Sequence, residues 1–196
     1  MTSVSNKTGL WQSVFHLFYT LVLVNAMVTG SDEKSWTYEI KSLDYSTADE
    51  DILNTNLSVE RVSRGVYALS GSIVLNIDID ENTQCYVEAN TYRSDNGVNE
   101  YKVLAFKMSR QNIISAINGF YKEMFMDTLS ECSDLPVFED KFEPPIEKRE
   151  YTLTKCQFSQ DGFPNHLEEG FYKILISGSG CLDWHFAVIV EVEATN

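Results

Sequence analysis

Four groups of residues in this chain are of types that could do chemistry. The first is Ser179, between Gly178 and Gly180. A glycine-flanked serine can be a nucleophile held on a sharp strand-to-helix turn. Here the outer flanks of such an elbow are missing and the motif joins two strand-like runs, so Ser179 reads as a turn residue. The second group is His166 and His185, each able to act as a general base. Each stands alone in the sequence, and a lone histidine names no reaction. The third is Asp78, Asp80 and Glu81, which suggests calcium. The spacing lacks the central glycine and distal glutamate of a calcium loop and reads as a solvated strand end. The fourth is Cys85, Cys132, Cys156 and Cys181. No pair has CxxC spacing, so zinc is not expected. No glycine-rich phosphate loop is present. The expectation is a protein that binds rather than catalyses, with no catalytic residue, no metal and no cofactor.

The cysteines suit another use. The run from Leu10 to Val28 holds no charged residue, follows Lys7 and precedes Asp32 and Glu33. A basic start, an apolar middle and small residues before a polar stretch predict a secretory signal peptide over residues 1–30. Cleavage after Gly30, with Val28 three back, is favoured over cleavage after Ala26, so the extracellular protein starts at Ser31. The competing reading is a membrane anchor, which Gln12, Ser13, His16 and Asn25 interrupt. An even number of cysteines in an exported chain argues for two disulfides. Export also makes Asn56-Leu57-Ser58 a glycosylation acceptor. Residues 31–196 form one domain, long enough to bury a core. Removal of Lys7 takes the formal net charge from −14 to −15. Such a surface repels nucleic acid and anionic lipid headgroups, so nucleic acid is not an expected partner.

Most of residues 31–196 carries strand patterning. Trp36, Tyr38 and Ile40 share one side of a run over 36–44. Leu57, Val59 and Arg61 share a face over 56–62, and Arg64-Gly65 looks like a hairpin turn. Ile73, Leu75, Ile77 and Ile79 alternate with polar neighbours and Val74. Runs over 85–92 and 101–108 are joined by the turn-rich Ser94-Asp95-Asn96-Gly97. Three more follow, over 151–158, 171–177 and 182–193. In the last, Trp184, Phe186, Val188, Val190 and Val192 alternate with His185, Ala187, Ile189, Glu191 and Glu193. One segment differs: Ile113, Ile114, Ile117, Phe120, Tyr121, Met124, Phe125 and Leu129 recur at helical spacing over 112–129, with Ser109 as N-cap. Phe142-Glu143-Pro144-Pro145 reads as a stiff, exposed loop. The fold class is mainly β: an antiparallel β-cup or sandwich of about eight strands with one helical segment. Periodicity alone favours an ordinary filled core, because helical apolar stripes usually pack on a sheet.

Further blocks carry a resemblance. Tyr151-Thr152-Leu153-Thr154-Lys155-Cys156-Gln157-Phe158 is followed by Gly162-Phe163-Pro164, then by Gly170-Phe171-Tyr172-Lys173-Ile174, Gly178-Ser179-Gly180-Cys181 and a last strand. This order resembles the end of the ganglioside-activator protein, of the ML lipid-recognition group. With Trp36-Thr37-Tyr38-Glu39, Phe120-Tyr121-Lys122 before a cysteine, and Lys141-Phe142-Glu143-Pro144-Pro145, it is more similar still to the insect chemosensory CheA and CheB proteins, a secreted family related to that activator.

The resemblance implies a β-cup whose apolar cavity accepts acyl chains. It implies a bond between Cys132 and Cys156, like one bridge of the activator. Cys85–Cys181 then remains, one of three connectivities open to four cysteines. On this reading the helical segment lines the cavity or its mouth with Ile113, Ile117, Phe120, Met124 and Phe125. The strands add Phe106, Phe171, Ile174, Trp184 and Phe186. The implied ligand is an apolar small molecule or lipid, a long-chain hydrocarbon or ester pheromone in chemosensory detection, and the implied partner a membrane receptor or channel of sensory neurons. Two other readings stay open: a secreted module that docks on a receptor and holds no ligand, and immune recognition of microbial lipid.

Overall fold

The computed structural model of the protein describes residues 34–160 and 163–195. The signal peptide expected over residues 1–30 and its expected cleavage site lie outside the described residues. Eight strands follow one another: β1 Trp36–Thr47, β2 Leu53–Ser63, β3 Val66–Leu75, β4 Cys85–Ser94, β5 Lys102–Asn112, β6 Arg149–Cys156, β7 Gly170–Gly180 and β8 Trp184–Ala194. The pairing is antiparallel throughout. One sheet has the order β1-β8-β7-β4-β5 and the other β2-β3-β6. The fold is therefore mainly β, as the alternating pattern predicts. Two disulfides tie it, Cys85–Cys181 and Cys132–Cys156, the pairing that the resemblance implies.

Between β5 and β6 lies the helical segment. It is broken rather than continuous: α1 Ile113–Ala116, a π-helical stretch Ile117–Tyr121, α2 Lys122–Met124 and α3 Met126–Ser130. Its N-cap is Asn112, whose side-chain oxygen accepts from the Ile114 amide at 2.9 Å. Ser109, the expected cap, lies inside β5, which runs four residues beyond the expected end at Met108. Strand pairing sets that boundary, since Gln111 and Asn112 still pair with Val87 and Tyr86.

Two other local expectations are corrected. Ser179 is a strand residue, paired with Tyr86 within β7, and the turn falls after Gly180. Phe142 is buried at 7 % exposure. Its amide donates to Asn118 Oδ1 at 2.7 Å, which draws the Phe142-Glu143-Pro144-Pro145 segment against the helical stretch. The turn after β4 is as expected. Gly97 takes φ +72°, a region that glycine enters without strain. The Ser94 hydroxyl donates to Asn99 O at 2.5 Å across the same turn.

Two irregularities decide which side chains face inward. In β1 the register shifts between Ile40 and Ser42. The one-residue bulge moves the inward face from Trp36, Tyr38 and Ile40 to Leu43 and Tyr45. In β5, Asn90 pairs with Lys107 but Tyr92 pairs with Val103. One residue of β4, Thr91, thus faces three of β5, Leu104, Ala105 and Phe106.

Candidate ligand-binding cavity

A cavity of about 520 Å³ lies between the two sheets. That is within the range of small-molecule sites, about 300–1,000 Å³. One wall is β8, which contributes every second residue from Trp184 to Val192. At roughly 3.3 Å per residue this wall runs about 26 Å, so the space is a channel rather than a sphere. β1 adds Trp36, Tyr38 and Tyr45, and β7 adds Tyr172, Ile174 and Ile176. The three-stranded sheet closes the other side with Leu57, Leu69, Ile73 and Leu153. The helical segment adds Ile113, Tyr121, Phe125 and Leu129, and the loop after β6 adds Phe158, Phe163 and Leu167. Phe106, 40 % exposed, marks a mouth, with its ring 5.8 Å from that of Phe163.

The walls carry no Asp, Glu, Lys or Arg. Four of their aromatic polar groups are engaged by backbone carbonyls. Tyr38 donates to Phe158 O at 2.7 Å, Tyr121 to Pro136 O at 2.9 Å, Tyr172 to Glu168 O at 2.8 Å, and Trp36 Nε1 to Pro164 O at 2.9 Å. Burial pushes the Tyr121 hydroxyl up to about 12 and raises those of Tyr38 and Tyr172. All three hydroxyls therefore stay neutral at physiological pH. A charged group placed in this space would find no counter-charge, a large desolvation cost. An apolar chain would gain about 25 cal/mol per Å² buried.

A second cavity of about 200 Å³ adjoins the first. Ile77, Ile79, Ile117, Ile146 and Leu182 line it, together with both sulfur-bearing residues of the Cys85–Cys181 bond. Leu53, Ile73, Ile113, Tyr121, Leu135 and Trp184 border both spaces. Trp184 is fixed by Gly178, its partner across β7 and β8. A Cβ at Gly178 would lie 1.9 Å from the indole Nε1, so no other residue fits beneath the ring.

Of the ten residues expected to line a cavity, Phe106, Ile113, Phe125, Ile174, Trp184 and Phe186 meet on the large one, and Ile117 borders the small one. Three lie elsewhere. Phe171 is on the opposite face of β7 from Ile174, as period two requires, and its ring sits under Gly97. Phe120 packs against Val87, Ala89, Met108 and Ala116. Met124 is half-buried in α2 and forms no part of either wall. Wall residues that periodicity could not find come from irregular chain: Leu104 from the β5 bulge, and Phe158, Phe163 and Leu167 from the loop after β6.

The residues first considered for chemistry lie away from this space or on its edge. Ser179 Oγ accepts from Arg110 Nε at 3.3 Å. His166 Nδ1 lies 3.1 Å from Ser35 Oγ. His185 borders the cavity, but its ring nitrogens lie 3.0 Å from Ser46 Oγ and 3.4 Å from Asp44 Oδ2. Asp80 holds its own turn, accepting from Thr83 Oγ1 at 2.9 Å and from the Asn82 amide at 2.8 Å. Among the described residues no cluster of His, Cys, Asp or Glu is arranged to hold a metal, and no helix is long and apolar enough to cross a membrane. Asn56 is exposed on edge strand β2, where a glycan would meet no packed neighbour.

A family of proteins of unknown function, DUF1091, matches residues 87–174. The match spans β4, β5, the helical segment, β6 and the first part of β7, and leaves β1 to β3 and β8 outside it. No curated protein sequence matches the chain.

Proposed function

We propose that this protein is a secreted carrier that encloses an apolar long-chain ligand and presents it to a receptor or channel of sensory neurons, in the manner of the CheA and CheB chemosensory proteins. One observation carries the reading: a channel of about 520 Å³ with no charged side chain on its walls. A filled core would leave no such volume, since interiors pack as densely as organic crystals. The two disulfides suit an oxidising extracellular setting, and the apolar N-terminal run supplies the export signal. Binding rather than catalysis is part of this reading: the walls carry no Lys or Arg, and the contact of Ser46 Oγ with His185 Nδ1 lies on the cavity's border, with no oxyanion donor placed beside it in this reading.

The test uses protein purified from a eukaryotic secretion host. Mass spectrometry of an organic extract should show co-purified long-chain molecules, and a neutral naphthylamine fluorophore should bind and be displaced by long-chain esters. An extract without apolar molecules, from a protein that also binds no fluorophore, would leave receptor docking without a ligand as the better account.

A further inference from the structure

The cavity is not uniformly inert. Thr91 lies near the middle of β4 with its side chain on the wall, paired with Ile174 of β7. It is 7 % exposed. Its hydroxyl makes no hydrogen bond among the described residues. Among the described residues, the single side-chain nitrogen or oxygen that is fully sealed without a partner is Arg93 Nε. Thr91 Oγ1 is therefore unpartnered yet reachable, and the space it can be reached from is the cavity. Most other wall hydroxyls differ in having a partner. Those of Tyr38, Tyr121 and Tyr172 donate to carbonyls, Ser46 faces His185, Thr47 donates to Asp49 O, and Ser159 has its own partner. The Thr55 and Tyr45 hydroxyls also lack a hydrogen bond among the described residues, but both stand on edge strands, Thr55 half-buried on β2 and Tyr45 42 % exposed on β1, whereas Thr91 is buried in the sheet interior.

The surroundings of Thr91 are built for a chain rather than for a strand neighbour. On the β5 side it faces the bulge of Leu104, Ala105 and Phe106 instead of a paired residue. Phe106 is at the mouth. A ligand that entered there would bring an oxygen near Thr91 and extend its tail along β8 toward Trp184.

On the reading that this cavity binds an apolar chain, we propose that Thr91 selects a neutral carbonyl-bearing one, an ester or ketone whose oxygen accepts a hydrogen bond from the Thr91 hydroxyl. A buried hydroxyl without a partner is unfavourable, and a ligand acceptor removes that penalty. A carboxylate would gain the same bond but bring a charge into walls that hold no cation. An alkane would leave the hydroxyl unmet.

The experiment measures displacement of the naphthylamine fluorophore by a methyl ester, a methyl ketone, an alkane and a fatty-acid anion of equal chain length. In the wild type, ester and ketone should bind about two- to tenfold more tightly than the alkane, the worth of one neutral hydrogen bond, and the anion more weakly than the ester. Thr91→Val keeps the shape and the strand preference of the residue. It should lower ester affinity to that of the alkane and leave alkane affinity unchanged. Thr91→Ser should keep the preference and guards against loss of fold, and Thr55→Val should keep it too. Equal binding of ester and alkane in the wild type, or a preference that survives Thr91→Val or disappears in Thr55→Val, overturns the assignment while leaving the cavity reading intact. If no chain displaces the fluorophore, the cavity reading fails and the assignment falls with it.

Discussion

Phe120 and Phe125 belong to the same helical segment, and their rings lie 5.4 Å apart. They meet different surroundings. Phe120 packs on a seam made by Val87 and Ala89 of β4, Met108 of β5 and Ala116 of α1, all buried. Phe125 and its neighbour Tyr121 turn to the cavity, with the Phe158 ring 5.9 Å from that of Phe125. The two regions are equally apolar, and they differ in how much of the space in front of the side chain is filled. Hydrophobic composition alone therefore does not distinguish a wall from a core. The packing behind one face and the missing partner atoms before the other do.

The largest effect that separates the two regions is expected at the seam. Phe120→Ala should lower unfolding stability by about 3 kcal/mol, the lower end for this change because the ring is only half-buried. Affinity for an apolar fluorophore should not change. A denaturant titration paired with a fluorophore titration reads both. Phe125→Ala should give the inverse pattern, with about 1–2 kcal/mol lost, because fewer protein contacts vanish beside an existing space, and a clear fall in fluorophore affinity. Equal losses of stability in the two variants would erase the distinction.

Enlarging a residue sharpens the comparison. Ala116→Leu overfills the seam and should cost about 1–3 kcal/mol. Val190→Phe adds its ring where the channel is open. It should leave stability unchanged or raise it by up to about 1 kcal/mol, while the fluorophore no longer binds. Thermal melts of the two variants side by side should move in opposite directions or, at the least, by different amounts.

The smallest effect concerns the wall segment that carries Leu135. Asp134 ties it to β6, accepting from the Thr152 amide at 2.7 Å and pairing with Arg149. Burial opposes ionisation of Asp134, but the Thr152 amide and the Arg149 guanidinium outweigh it and hold its carboxyl below the usual aspartate range. The contribution of a depressed carboxylate is complete above its unfolded value of about 3.9 and is lost as pH falls through the folded value. For a side chain this exposed it should stay well under about 1 kcal/mol. Urea midpoints between neutral and strongly acid pH should fall less steeply in Asp134→Asn than in the wild type. The pH dependence of Phe120→Ala should match that of the wild type, because the seam holds no carboxylate.

Much of this molecule is legible without coordinates. The alternation of Trp184, Phe186, Val188, Val190 and Val192 marks a half-buried strand, and all five line the cavity. Other parts are not legible, for identifiable reasons. Trp36, Tyr38 and Ile40 predict one face of β1, but the bulge after Ile40 hands that face to Leu43 and Tyr45. The stripe from Ile113 to Leu129 predicts one helix with one face, but the π-helical stretch over Ile117–Tyr121 changes the angular step. Residues read as one row thus separate into the Phe120 side and the Phe125 side. Phe171 and Ile174 stand at an odd spacing within one strand, which forces them to opposite faces.

Local patterning thus fixed the class of this protein. Period two gives antiparallel strands with one apolar face, and helical spacing marks the single segment that interrupts them, because both signals arise from backbone geometry that each residue shares with its near neighbours. The number of cysteines called for two bonds but left three pairings open. Only the meeting of β4 with the turn after β7, and of the helical segment's end with β6, makes Cys85–Cys181 and Cys132–Cys156. The open volume, the wall residues drawn from the loop after β6 and the unpartnered hydroxyl of Thr91 likewise depend on side chains distant in sequence. Whether an apolar face meets atoms or space is a property of what stands opposite it, and no local pattern carries that.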